Sequence, residues 1–254
     1  MKAKRTDIPR VDGELRSHAI QLPEAIWEAR GIVVLGRRIK SVVFSTDIAI
    51  IRNCNADAVM AVYPFTPQQV ISNAIISASS KPVFVGVGGG TTKGMRSMHI
   101  AQDAEAQGAF GVIVNSPMSN ANIRLIKSVL DIPIISTIVD EEEDIRMRLD
   151  AGVSILNVAA GKLTPDVVRR IREKYPDVPI IASGGKNEES IRKTIEAGAN
   201  TISYTPPSSA EIFSDLMDVY RTDKTKNQDF ILDALTERRD DIVEFLKLLK
   251  NIQK

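Results

Sequence analysis

The chain has 254 residues, 43% of them hydrophobic and 26% charged, and its 33 Lys plus Arg against 32 Asp plus Glu leave a formal net charge of +1. A balance this even excludes a whole-molecule field that would recruit nucleic acid or an anionic membrane. The one cysteine, Cys54, excludes an internal disulfide and any multi-cysteine zinc or iron–sulfur centre.

No run of about 18 apolar residues occurs, and residues 1–20 lack the apolar core of a signal peptide. The expectation is a cytoplasmic protein that binds neither membrane nor nucleic acid. In chain order, residues 1–40 read as an N-terminal extension packing on a barrel. It holds a helix around "LPEAIWEAR" and a strand-turn, "GIVVLGRRIK", that leads into the first barrel strand.

From residue 41, eight Val/Ile-rich runs alternate with segments of helical period: "SVVFS", "AVMAVY", "PVFVGV", "GVIVNS", "PIISTIV", "SILNVA", "PIIAS" and "TISYT". Short apolar strands alternating with helices are the pattern of a parallel sheet covered by helices. Helix starts are read at Thr66 with Pro67 and Gln69, at Thr164 with Pro165, at Asp140 with Glu143, at Asn187, and at Ser208 with Glu211. Glycines 108, 152 and 198 in "AQGAFG", "DAGVS" and "EAGAN" mark helix ends.

Eight such units over residues 41–221 predict an α/β fold, a closed (β/α)8 TIM barrel, in preference to an open doubly wound sheet. Residues 222–254 carry Ile231, Leu235, Ile242, Leu246 and Leu249 near helical spacing. This C-terminal helical segment is read either as packing on the barrel or as the contact of a homo-oligomer.

In a barrel of this kind, chemistry belongs to the C-terminal strand ends and the loops after them. Tyr63, Asn115, Asn157 and Tyr204 stand at corresponding points after the even strands, where they either converge on a ligand or bond only to neighbouring backbone. The third loop, "VFVGVGGGTTKG", offers Gly88, Gly89, Gly90, Thr91 and Lys93. It does not meet either nucleotide fingerprint, since no Gly-Lys pair followed by Ser or Thr closes it and the G-x-G-x-x run ends in Thr91. We read it as a flexible contributor over the mouth.

The seventh loop, with Ser183, Gly184, Gly185 and Lys186, and the eighth, with Thr205 and Ser208, occupy the usual phosphate position of such barrels. Pro206 and Pro207 in the eighth have no N–H to offer an anion.

The segment "PIIASGG" followed by "IRKTIEAGANTIS" resembles the phosphate-binding, aldolase-type barrels. The stretches "VDGELRSHAIQLPEAI", "VVLGRRIKSVVFSTDIAIIRNCNADAV" and "VYPFTPQ" are similar to a bacterial family labelled as hydrolases. The resemblance implies a barrel acting on a small molecule and assigns no residue a role.

Among reaction classes, metal-dependent hydrolysis lacks ligands, because only His18 and His99 exist and neither belongs to a strand end. Acyl transfer lacks a G-x-S-x-G elbow, and Cys54 reads as a core residue. Schiff-base chemistry has only the loop lysines Lys93, Lys162 and Lys186. General acid–base work remains, with Asp47 and Asp140 as carboxylates that either cap helices or react, and with Lys93 beside them. No cofactor is evident, although the two aspartates could hold Mg²⁺ beside a phosphate.

The expected partner is an anionic small molecule, phosphorylated or carboxylated. The protein is expected to be an enzyme of hydrolase, lyase or isomerase type, or alternatively a metabolite-sensing regulatory barrel without chemistry.

Overall fold

The structure is a computed structural model in which residues 20–222 are described. The helical segment expected at 222–254, from residue 223 on and with its subunit contact, and all of the N-terminal extension before residue 20 therefore lie outside the described residues, as does His18. Two compact units are distinguished: residues Leu22–Ser209, and a second unit formed by Met1–Gln21 with Ala210–Lys254. Of the latter, the described part is chiefly the helix α8 (Ser209–Thr222), which starts at the boundary.

Residues Leu22–Ser209 hold a closed barrel. Its eight strands are β3 (Ser41–Phe44), β4 (Ala58–Ala61), β5 (Val83–Gly88), β6 (Gly111–Val114), β7 (Ile134–Ile138), β8 (Ile155–Val158), β9 (Ile180–Ser183) and β10 (Thr201–Tyr204). They run in chain order around the barrel, each parallel to the next, and β10 closes on β3. All eight apolar runs of the sequence are thus strands of one barrel. The helices between them are α1 (Ile48–Arg52), α2 (Gln69–Ala78), α3 (Gly94–Ala106), α4 (Asn120–Lys127), α5 (Ile145–Asp150), α6 (Thr164–Lys174) and α7 (Glu188–Glu196).

Side chains alternate across each strand, so residues two apart share a face. The interior cluster takes Val42, Ala58, Met60, Phe84, Ile113, Ile135, Ile155 and Ile181 from successive strands. Into its lower end reaches a hairpin of β1 (Ile32–Val34) and β2 (Arg37–Ile39), whose Ile32, Val34 and Ile39 join the same cluster. Each fully buried side chain of this size contributes roughly 1.5–3 kcal/mol, so the hairpin closes the bottom of the barrel as an apolar plug. Thr201 Oγ1 donates to the Ile39 carbonyl at 2.8 Å and ties the plug to β10.

The strand-turn read in "GIVVLGRRIK" is this hairpin. Its two central residues, Leu35 (φ 44°) and Gly36 (φ 80°), both take positive φ, the requirement of the turn whose twist matches the strands.

The segment expected as a helix around "LPEAIWEAR" is one short 3-10 helix, Glu24–Glu28. The Glu188 carboxylate at the start of α7 accepts from the Glu24 and Ala25 N–H groups at 2.9 and 3.0 Å. An acid 164 positions later thereby supplies the cap that the local sequence lacks.

The three glycines expected to end helices do so in one geometry. Gly108, Gly152 and Gly198 have φ of 93°, 108° and 112°. In each case the glycine N–H reaches back to the carbonyl three residues earlier (Glu105, Leu149, Ile195), and the next N–H reaches five back (Ala104, Arg148, Thr194). This paired closure is the Schellman motif, which needs a left-handed residue at its turn.

Helix starts depart from the sequence expectation at several points. Asn187 does cap α7, accepting from the Ser190 N–H at 2.9 Å in a capping box. Thr164 is instead the first residue of α6, and its hydroxyl accepts from the Ala160 N–H. Thr66 caps nothing: Pro67 biases it toward extended backbone, and α2 begins only at Gln69, after the Gln68 N–H has been bonded to the Tyr63 hydroxyl at 2.8 Å. The cap of α5 is Asp144 and not Asp140, because Glu143 is drawn inward by Arg148 and the first turn is shifted along the chain.

Candidate functional site

At the C-terminal end of the barrel the loops after β4, β5 and β6 enclose a cleft of about 320 Å³. Residues 62–67 form one wall and the glycine loop 88–92 the other, with Gly86 and Asn115 below. A bulge in the β5–β6 pairing, where the register jumps from Gly86 to Gly88, lets the glycine loop leave the sheet. Asn115 N–H then holds the Gly88 carbonyl at 3.0 Å, and Gly89 N–H holds that of Thr92 at 3.1 Å.

Gly88, Gly89 and Gly90 all take positive φ, at 147°, 121° and 98°. At Gly89 a Cβ would stand 2.6 Å from Asn115 Cβ and 2.7 Å from its backbone nitrogen. Only glycine lets the loop approach Asn115 this closely.

Directly after the loop comes the N-terminus of α3. Lys93 occupies its N-cap position with no side-chain capping bond, and the first turn carries no acid. A helix start of this kind leaves N–H groups and the positive end of the dipole without an anionic complement. The seventh loop is built differently. The Gly184 N–H is engaged by the Ser203 carbonyl at 3.3 Å, and Gly185 lies against the Ser190 side chain. The start of α7 carries Glu188 and Glu189 in its first turn in addition to the Asn187 cap. The positive end of α7 is therefore already complemented.

The inner face at the mouth follows from the alternation. Two residues beyond the interior cluster, the strands place Asn115, Thr137, Asn157, Ser183 and Ser203 from β6 round to β10, and Phe44, Val62 and Gly86 from β3 to β5. Asn157 Nδ2 donates to Thr137 Oγ1 at 3.3 Å, which fixes both side chains on this face. One half of the floor is thus small, neutral and polar, and the other half apolar or bare.

Of the residues singled out in the sequence, the cleft brings together Tyr63, Gly88, Gly89, Gly90, Thr91 and Asn115. Asn157 and Ser183 stand on the adjoining floor. Tyr204 shares a face with Ile202, which contacts the Gly184 and Ile191 region outside the barrel, so alternation turns it away from the interior. Lys93 is exposed and is not among the residues lining the cleft, which end at Thr92 on this loop, while Lys186, Thr205 and Ser208 are exposed in the seventh and eighth loops.

Asp47 is the N-cap of α1, accepting from the Ala49 and Ile50 N–H groups at 2.8 and 3.3 Å. Partial burial opposes its ionisation, but hydrogen bonds from the Ser209 side chain and from the Ile50 and Ala49 N–H groups outweigh this and hold its carboxyl below the ordinary 3.8. Asp140 accepts from the Glu142 N–H and lines a separate outer groove of about 390 Å³ between the loop after β7 and α6. The two aspartates are thus each occupied by backbone. Among the described residues no three His, Cys, Asp or Glu side chains gather to hold a metal ion.

Sequence reasoning missed the residues that hold the site in shape. Arg148, on α5 and 8% exposed, donates to the Ser116, Met118 and Asn120 oxygens and pairs with Glu143 at 3.1 Å. Glu143 in turn accepts from the Ser116 hydroxyl. This buried pair fastens the loop that begins with Asn115 to the one that follows β7. Thr137 and Ser203 were also passed over, although counting two residues beyond each core position finds both.

The fold and this mouth define the class of protein: a (β/α)8 barrel whose loops after the fourth to sixth strands of the chain build a glycine-walled cleft. No family model matches the chain, and no curated protein does. Solved structures do match. A phosphonopyruvate hydrolase in complex with oxalate and Mg²⁺ is 12% identical, with a TM-score of 0.58 over 85% of this chain and 92% of that one. The phosphoenolpyruvate phosphomutase of Streptomyces platensis subsp. rosaceus is 15% identical at TM-score 0.57, over 90% and 94%. A 2,3-dimethylmalate lyase, a member of the PEP mutase/isocitrate lyase superfamily, is 12% identical at 0.55, over 82% and 91%. At these identities the likeness establishes the aldolase-type barrel fold. The matched proteins include a hydrolase, a mutase and a lyase, so the hydrolase label drawn from sequence resemblance is not singled out. Among the described residues no helix is long and apolar enough to cross a membrane.

Proposed function

We propose that this barrel binds a small phosphorylated or carboxylated metabolite in the cleft between the loops after β4, β5 and β6, and acts on it as an enzyme. The observation that carries the reading is the contrast between two helix starts. The start of α3 follows directly in the chain on Thr92, the last residue of the loop that lines the cleft, and has no side-chain cap and no acid in its first turn, whereas that of α7 is capped and carries Glu188 and Glu189. An oxyanion is stabilised where unpaired N–H groups and a helix dipole converge, which favours the third loop over the seventh.

In this reading Gly90 and Thr91 present backbone to the anion, the Gly89 N–H being held by the Thr92 carbonyl, and Lys93 adds charge from the rim. Asn115 and Tyr63 fix the orientation of the rest of the ligand. Gly184, Gly185, Lys186 and Ser208 would then serve the far side of the mouth and not the principal anion site. That the matched barrels are described as acting on phosphonopyruvate, phosphoenolpyruvate and dimethylmalate supports a substrate of this charge class. The reaction type, hydrolysis, lysis or isomerisation, is proposed at that level only; Asp47 is kept as the candidate carboxylate although it caps α1 and stands outside the cleft lining.

One observation favours a second reading, a metabolite-sensing barrel without chemistry: the inner face at the mouth carries no ionisable side chain. A panel of phosphorylated and dicarboxylic metabolites, screened for thermal stabilisation and then for turnover, separates the two. Turnover abolished by Asp47→Asn or Lys93→Ala supports the enzyme. Tight binding without turnover across the panel supports the sensor, and an absence of any stabilising ligand overturns both.

A further inference from the structure

The floor beside the cleft contains a polar group that the fold leaves unanswered. Asn157 is 6% exposed, and its Oδ1 has no hydrogen-bond partner, while Nδ2 is held only by the 3.3 Å bond to Thr137 Oγ1. A buried amide oxygen without a partner costs free energy that an apolar side chain of similar size would not. Packing and folding therefore give no reason for asparagine at this position.

Its neighbours on the inner face, Asn115, Thr137, Ser183 and Ser203, are also uncharged hydrogen-bonding residues, so the anion of a ligand has no counter-charge here. What suits this half of the floor is a neutral polar group. Rotation about χ2, a broad torsion in asparagine, exchanges the end of the amide bonded to Thr137 for the end left over. The unanswered atom is then an acceptor in one orientation and a donor in the other. A hydroxyl, donor and acceptor at once, satisfies either.

From this juxtaposition we infer that Asn157 is a specificity-determining residue for a hydroxyl on the substrate, which is therefore a hydroxylated small anion. The inference rests on the cleft as the anion site and adds a group on the same inner face of the barrel, two strands round from Asn115. Asn157 positions and selects; it performs no step of a reaction.

The test compares glycerol 3-phosphate with propyl phosphate, which has the same carbon chain without the hydroxyls, and uses inorganic phosphate as the anion alone. The readout is the nitrogen–proton NMR spectrum, in which the Asn157 side-chain amide pair is the one missing from Asn157→Leu. Glycerol 3-phosphate is expected to shift that pair and to bind at least tenfold tighter than propyl phosphate. In Asn157→Leu the preference should collapse to within twofold, while the melting temperature without ligand stays level or rises. Equal binding of the two probes to wild type, or an unmoved Asn157 amide at saturating glycerol 3-phosphate, overturns the inference. So does an Asn157→Leu protein that melts several degrees lower and keeps the preference. Inorganic phosphate separately reports on the anion site through the Gly90 and Thr91 backbone amides. If those stay fixed, the proposed cleft fails on its own account.

Discussion

Replacing Gly89 by alanine tests whether the glycine loop is built against Asn115 or merely passes near it. Its φ of 121° lies where non-glycine residues carry strain of order 1–3 kcal/mol. The added Cβ would also stand 2.6, 2.7 and 2.9 Å from Asn115 Cβ, N and Cα, none of which can swing aside as the end of a flexible side chain can. Overpacking of this kind costs a further 1–3 kcal/mol or so. Gly90 supplies the control, because its φ is also positive, at 98°, but nothing stands within 4 Å of its would-be Cβ. Gly90→Ala should therefore cost only the conformational part. The two variants, unfolded thermally and in urea with circular dichroism as probe, should differ by about 1–3 kcal/mol, roughly 2–12 °C in melting temperature for a chain of this size. Equal losses would refute the claim that loop and Asn115 are fitted to each other.

Three further outcomes are expected. Arg148→Ala leaves the Glu143 carboxylate and three backbone or side-chain oxygens without their buried donor, and should lower stability by about 3–5 kcal/mol; Arg148→Met combined with Glu143→Leu should recover most of that in urea titration. Leu35→Asn, at a turn position with φ of 44°, should stabilise by about 1 kcal/mol, since asparagine tolerates the left-handed region that leucine resists; a lower urea midpoint would contradict the turn assignment. Asp47→Ala should cost about 1 kcal/mol at neutral pH as a lost cap. Because the folded-state pKa of Asp47 is depressed, its charged-state contribution is present above the ordinary 3.8 and is lost as pH falls through the folded value. The gap between wild type and Asp47→Ala should accordingly narrow in acid, and a gap that widens there would contradict the hydrogen-bond assignment.

The barrel was legible in the sequence because its signals are local and repeated: β-branched runs set the strands, and Gly108, Gly152 and Gly198 each impose the same left-handed helix stop. Helix starts were less legible. At α5 the competition between Asp140, Glu143 and Asp144 for the cap is decided by Arg148, whose partners lie about 30 positions away and leave no local mark. The 3-10 helix is capped from still further off, by Glu188.

Of the candidate site, the glycine loop, Tyr63 and Asn115 could be seen because their residue types are conspicuous. Thr137 and Ser203 are ordinary residues, and only their register relative to Ile135 and Thr201 gives them a direction. The proposed preference for the third loop over the seventh was hidden for a similar reason. It depends on the Gly184 N–H being engaged by Ser203 and on acids complementing α7, neither of which the double glycine discloses.

The central claim, that the cleft beside the glycine loop receives the anion, is tested most directly by hydrogen exchange with and without a metabolite that raises the melting temperature. Slowed exchange is expected in the peptide spanning residues 83–97, with a smaller effect in the peptide beginning at Asn115. Protection confined to the seventh loop around residues 184–190, with the glycine loop unchanged, would contradict it.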